Sequence, residues 1–129
     1  MNPSIVDLRV ILDDAVSNPS SSLNQLLDAA STEVGMPSMA GGREAILARL
    51  RSAYYVVGCM IEGQVVAISQ INRKRSSYYC QRTHKVIDNG EVYELSGAYI
   101  VPEYRGFGIY RKLFFARFDH LKYGAHTGK

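Results

Sequence analysis

Val101-Pro102-Glu103-Tyr104-Arg105-Gly106-Phe107-Gly108-Ile109 is the stretch whose reading decides the fold. Before it lies Val92 to Val101, dense in β-branched and aromatic residues and therefore strand-forming; after it a helix begins near Gly108. Pro102 closes the strand because it has no backbone donor to give. The two glycines let the chain turn without Cβ clashes, and the amides that open the helix have no partner within it. A helix start also carries partial positive charge. The turn therefore predicts an anion site held largely by backbone, with Arg105 adding charge suited to a phosphate or pyrophosphate.

Placed at 100° intervals, Ile109, Tyr110, Leu113, Phe114, Phe118 and Leu121 share one broad side of the following helix, which is expected to cover a sheet. Arg111, Lys112, Asp119 and Lys122 fall opposite, with Phe115 among them; an aromatic there suggests cover by another segment or subunit. Gly124 is the expected end of the helix.

Working outward, 129 residues make one domain with a single sizeable core. The net charge of +3 is mild, and the basic residues are scattered except at Arg73-Lys74-Arg75, within a run from Arg73 to Ser77 that reads as a solvated linker, so nucleic acid is not implied. Cys59 and Cys80 lack metal-ligand spacing and read as reduced, buried thiols with no disulfide; no metal site is expected. No apolar run reaches transmembrane length, the N-terminus lacks a signal-peptide pattern, and a cytoplasmic protein with no membrane partner is expected.

Ser4 to Leu12 alternates like a strand, although Ile5, Leu8, Leu12 and Val16 also fit a helical face. After Asn18-Pro19, Leu23, Leu26, Leu27, Ala30 and Val34 recur at helical spacing until Gly35. A loop from Gly35 to Gly42, with Met36 and Met39 as candidates to line a substrate mouth, precedes a second short helix ending near Ser52. Ala53 to Ile61, Glu62-Gly63 and Gln64 to Asn72 form a β-hairpin. Tyr78 to Ile87 is a third strand candidate, and Asp88-Asn89-Gly90 reads as a hairpin turn into the strand of the deciding stretch.

The run from Val101 to Ile109, continued by Arg111-Lys112-Leu113, resembles the acyl-CoA-binding motif of the GNAT N-acetyltransferase superfamily. That pattern is Arg or Gln, two residues, Gly, one residue, then Gly or Ala. Arg105 and Gly108 fill the first two places, whereas Tyr110 stands where a small residue is expected. The two helices and the hairpin before the motif follow the family order. The resemblance implies an α+β, three-layer fold: a central, mostly antiparallel twisted sheet flanked by helices. It also implies an acyl-CoA cofactor, acetyl-CoA by default, against Ile100, Val101, Arg105, Gly106, Phe107, Gly108, Ile109 and Tyr110. Glu94-Leu95-Ser96 to Tyr104-Arg105 and the Phe-rich run from Arg111 to Phe118 are similar to the arginine N-succinyltransferase branch, which would make the donor succinyl-CoA. Members of the superfamily normally continue with a strand, a helix and a closing hairpin that help build the acceptor site. The resemblance spans residues 4 to 122 and implies a domain that is short at its C-terminus.

Acyl transfer to an amine needs a polarised carbonyl and a route for the proton, and a carboxylate is the usual base. Glu94 is the candidate base; strict alternation puts it on one face with Ser96, Ala98 and Ile100. Tyr99 is the first candidate acid, beside Tyr93 and Tyr123. Two function classes follow. One is an acyl-CoA-dependent N-acyltransferase acting on a small-molecule or protein amine. The other is a degenerate relative that works as a binding or inhibitory module through its sheet edge. In either case a homodimer or a partner chain is expected over the exposed edge of Val92 to Val101.

Overall fold

A computed structural model describes residues 2–10, 12–33 and 41–124. Four strands form one antiparallel sheet in the order β1 (Ser4–Asp7), β2 (Tyr55–Ile61), β3 (Gln64–Cys80), β4 (Lys85–Ile100). Helices α1 (Leu12–Ser17), α2 (Ser22–Thr32) and α3 (Gly42–Ser52) precede β2, and α4 (Ile109–Asp119) follows β4. The fold is therefore the expected mixed, three-layer α+β arrangement, with its sheet between helical layers. The loop containing Met36 and Met39 lies outside the described residues.

Two apolar clusters divide along the two sheet faces. Leu23, Leu26, Leu27 and Ala30 of α2 join Ile46, Leu47 and Leu50 of α3 over Val56, Val65, Ile68 and Tyr99. On the other face, Ile109 and Leu113 of α4 pack on Val57, Cys59, Ile61, Val66 and Ala67. Covered on both faces, β2 is an almost continuous apolar run, as a doubly buried strand requires. Helix α2 starts where Ser21 accepts a hydrogen bond from the Asn24 amide at 3.2 Å, and the buried Asn24 side chain donates to Val16 O at 2.6 Å and so closes the end of α1.

The structure corrects several local expectations. β1 stops at Asp7, and a 3-10 turn over Leu8–Val10 folds Leu8 onto the sheet in place of a strand to Leu12. Leu8 rests on Gly58, where a Cβ would lie 2.6 Å from Leu8 Cδ1, so the missing side chain in β2 is what admits it. Arg73 to Ser77 is not a linker. β3 runs through it to Cys80, and the chain reverses over residues 81–84, not at Asp88-Asn89-Gly90. The positive φ of Gly90 (76°) serves a bulge instead, since Ser76 and Ser77 face Gly90 and Asp88 with Asn89 left over.

On α4 the covered side is Ile109, Leu113, Ala116 and Arg117, whereas Tyr110, Phe114 and Phe118 are exposed. The helix is rolled relative to its apolar sequence pattern because Arg117, 2% exposed, lies inward and donates Nε to Leu113 O. Phe115 is exposed, with Arg111 5.4 Å above its ring. No helix is long and apolar enough to cross a membrane, and no group of three or more metal-ligating side chains occurs, both among the described residues.

Candidate active site

The end of β4 and the start of α4 are joined by a short, tightly bonded path. Val101 donates to Val66 O at 3.0 Å, which keeps it in the sheet. A 3-10 turn over Pro102–Tyr104 follows, closed by Tyr104 N to Val101 O (3.0 Å) and Arg105 N to Pro102 O (3.2 Å). Gly106 (φ 88°) and Gly108 (φ 81°) then take left-handed conformations, and α4 opens at Ile109 with Gly108 as its N-cap. A Cβ at either glycine would meet nothing within 4 Å, so the space above the turn is open. Gly108 has no side chain with which to cap the first turn of α4, which leaves the opening amides suited to a ligand. Among the expected cofactor residues, Ile109 is 1% exposed and half-buried Ile100 and Val101 pack against the core, which makes them supports of the turn. Gly106, Phe107, Gly108 and Tyr110 lie at its surface.

Arg105 does not point into that open space. Its Nε donates to Ile100 O at 2.8 Å and its Nη2 to both carboxylate oxygens of Glu33, at 2.7 and 3.0 Å. The guanidinium also lies 5.3 Å above the Tyr99 ring. Tyr99 is 1% exposed, and its phenol is pushed above its ordinary pKa, first by burial and next by the Glu33 carboxylate, with Arg105 pulling the other way. Tyr99 therefore keeps its proton at neutral pH.

A bulge in β4 rearranges the candidate catalytic residues. Gln70 pairs with Ser96 and Ile68 with Tyr99, so three steps on β4 oppose two on β3, and Gly97 absorbs the extra residue at φ 72°. Alternation is reset there. Glu94 opposite Asn72 and Tyr99 opposite Ile68 consequently share the α2/α3 face, and Glu94 does not share a face with Ala98 and Ile100 as strict alternation predicts. Glu94 is exposed. Five residues at about 3.3 Å each leave roughly 16 Å of strand between Glu94 and Tyr99, so the two do not meet at one centre. Tyr93 is partly exposed and pairs with Tyr54, ring centroids 5.0 Å apart.

Among solved structures, ribosomal-protein-alanine N-acetyltransferase from Brucella melitensis biovar Abortus 2308 superposes with a TM-score of 0.58, covering 95% of this chain and 73% of that one at 17% identity. The chain has the GNAT acetyltransferase fold. A possible acetyltransferase from Clostridium difficile 630 is also similar, with a TM-score of 0.47, 19% identity and coverage of 92% and 70%. No protein-family model matches the sequence, and no curated protein matches it.

Within this GNAT fold, two residues that sequence reasoning missed help to build the site. Glu33 follows the last turn of α2 and engages a residue 72 positions away; nothing in its local pattern announces that. Gln70 fills the bulge, with its Nε2 on Asn72 Oδ1 at 2.7 Å and its Oε1 where a side chain on Gly97 would go. Its single signal is its place in an otherwise apolar strand.

Proposed function

We propose that the protein is an acyl-CoA-dependent N-acyltransferase, with acetyl-CoA as donor and a primary amine as acceptor. The observation that carries this reading is the turn from Gly106 to Gly108. Two left-handed glycines with open space above them lead into an uncapped helix, which suits backbone binding of a pyrophosphate. Tyr110 does not fill that space; it lies 56% exposed on the side of α4. Acyl-CoA supplies the activated thioester carbonyl. The amides from Gly106 to Tyr110 hold its pyrophosphate, and Ile100, Val101 and Ile109 fix their direction through packing. Glu94, on the strand that leads away from the turn, accepts the amine proton directly or through water. Tyr99 lies at the turn end of the same face and holds its proton.

Calorimetric titration with acetyl-CoA, succinyl-CoA and free CoA tests the reading. Saturable binding is expected, and acetyl-CoA above succinyl-CoA would set the arginine succinyltransferase likeness aside. Absence of heat and of thermal shift at millimolar ligand removes the cofactor from the account. Gly108→Val should abolish binding, because a β-branched residue is strained at φ 81° and would occupy the open space that the pyrophosphate needs. Unchanged affinity in that variant would move the ligand elsewhere.

A second reading rests on the exposed stripe of Tyr110, Phe114 and Phe118 on α4, with Phe114 and Phe118 rings stacked at 6.5 Å, together with β4 at the edge of the sheet. Such a surface suits protein contact. A protein that binds no acyl-CoA but associates through this stripe would be the binding module.

A further inference from the structure

We propose that Arg105 is a positioning residue, not a phosphate ligand, and that Glu33 is its working partner in a clasp that holds the acyl-CoA turn in its binding geometry. The proposal rests on the acyltransferase reading and names a residue outside the motif that the reading depends on.

The guanidinium is committed on three sides. Nε closes the carbonyl of Ile100, the last residue of β4; Nη2 holds both oxygens of Glu33; and the plane lies over Tyr99. These contacts tie together the end of α2, the end of β4, and the residue that leads into the glycine turn. Gly106 and Gly108 have no side chains to fix them, and a Cβ at either would touch nothing within 4 Å, so the conformation of the turn depends on what anchors its two ends. Ile109 anchors the helical end by burial, and Arg105 anchors the strand end by polar contacts. A flexible loop ordered in advance loses less on binding, so the clasp acts on acyl-CoA affinity without touching acyl-CoA.

The arrangement also explains why a lysine would not serve. An ammonium on a flexible stem retains the charge but cannot reproduce the planar fork that reaches a backbone carbonyl and a carboxylate together. Glu33 has no other hydrogen-bonding partner among the described residues, so its loss frees the guanidinium without disturbing a second network.

The test is the affinity for acetyl-CoA of Glu33→Gln, Arg105→Gln, Arg105→Lys and the Glu33→Gln/Arg105→Gln pair, measured well below each protein's melting temperature. For a clasp, both single Gln variants bind about tenfold more weakly and the pair no more weakly than either, since residues acting as one unit are not additive. Arg105→Lys does not restore affinity, and the salt dependence of binding is the same in Arg105→Gln as in the wild type, because the charge removed is one that pairs with Glu33 and not with the ligand. Tighter binding by Glu33→Gln would show that Arg105 is a phosphate ligand for which Glu33 competes, and would overturn the proposal, as would unchanged affinity. Should the wild type bind no acyl-CoA, the acyltransferase reading falls separately. The clasp is then judged by melting temperature, where additive losses in the single and paired variants would reject it.

Discussion

Replacing Gly97 by alanine adds one methyl group at the bulge of β4, and the structure says where the cost arises. The residue sits at φ 72°, a conformation that costs a residue with a Cβ roughly 1–2 kcal/mol. The new carbon would also lie 2.8 Å from Gln70 Oε1, closer than such atoms approach, and a tight 3.1 Å from its Cδ and Cγ. Gln70 is 5% exposed, so it must shift within the core and give up its hydrogen bond to Asn72 Oδ1 and the longer one to Arg49 O. Each is worth about 1 kcal/mol net. The sum is about 3–4 kcal/mol, which for a domain of this size lowers Tm by roughly 12–16 °C. Circular-dichroism melts of Gly97→Ala, Gln70→Ala and the double variant separate the two parts. In the Gln70→Ala background the clash is gone and the added cost of Gly97→Ala should shrink to the backbone strain of about 1–2 kcal/mol. A loss below about 0.5 kcal/mol in the wild-type background, or an undiminished loss beside Gln70→Ala, would refute this account of the bulge.

Three other outcomes are expected. Glu94→Gln preserves shape but cannot accept a proton, so turnover should fall about a hundredfold or more with acyl-CoA affinity unchanged; equal turnover would reject Glu94 as the base. His120 stacks on Tyr55 at 3.8 Å, and its pKa is held below 6.5, first by burial and next by Arg9, with Asp7 opposing. Because the unfolded chain takes up this proton at higher pH than the folded one, stability is full above about pH 6.5 and falls as pH drops below it. Urea melts at pH 7.5 and 5.5 should show a larger acid loss in the wild type than in His120→Phe, and parallel losses would remove His120 as the cause. The position of β4 at the end of the sheet among the described strands and the Tyr110, Phe114, Phe118 stripe lead us to expect a homodimer; light scattering at micromolar concentration should give twice the chain mass, reduced in Phe114→Glu, and a monomeric mass overturns it.

The motif turn was legible because Pro102, Gly106 and Gly108 each impose a local backbone consequence within a few residues. The hairpin at Glu62-Gly63 was legible for the same reason, both residues taking positive φ. Where a signal has two structural uses, sequence could not choose: Gly90 supports a turn or a bulge equally well, and the partner strand decides. Gly97 carries no turn signature, so counting by twos sent Glu94 to the wrong company. The α4 surface was misread because a helical wheel ranks Phe118 above Arg117 for burial, while in the fold Arg117 lies inward with its Nε on Leu113 O and Phe118 is exposed. The clasp was invisible because its two members are far apart in sequence and neither is unusual where it stands.

Val101 packs against the apolar clusters on both faces of the sheet, and it is also the residue from which the motif turn departs. Among the described residues it is the side chain that both clusters share. Any rearrangement in α2 and α3, or any shift of α4, therefore reaches this one side chain from either side, and close-packed interiors pass such displacements on instead of absorbing them. The turn is mechanically coupled to both layers at its root, so substitutions far from it can alter ligand affinity while leaving every ligand-facing residue in place.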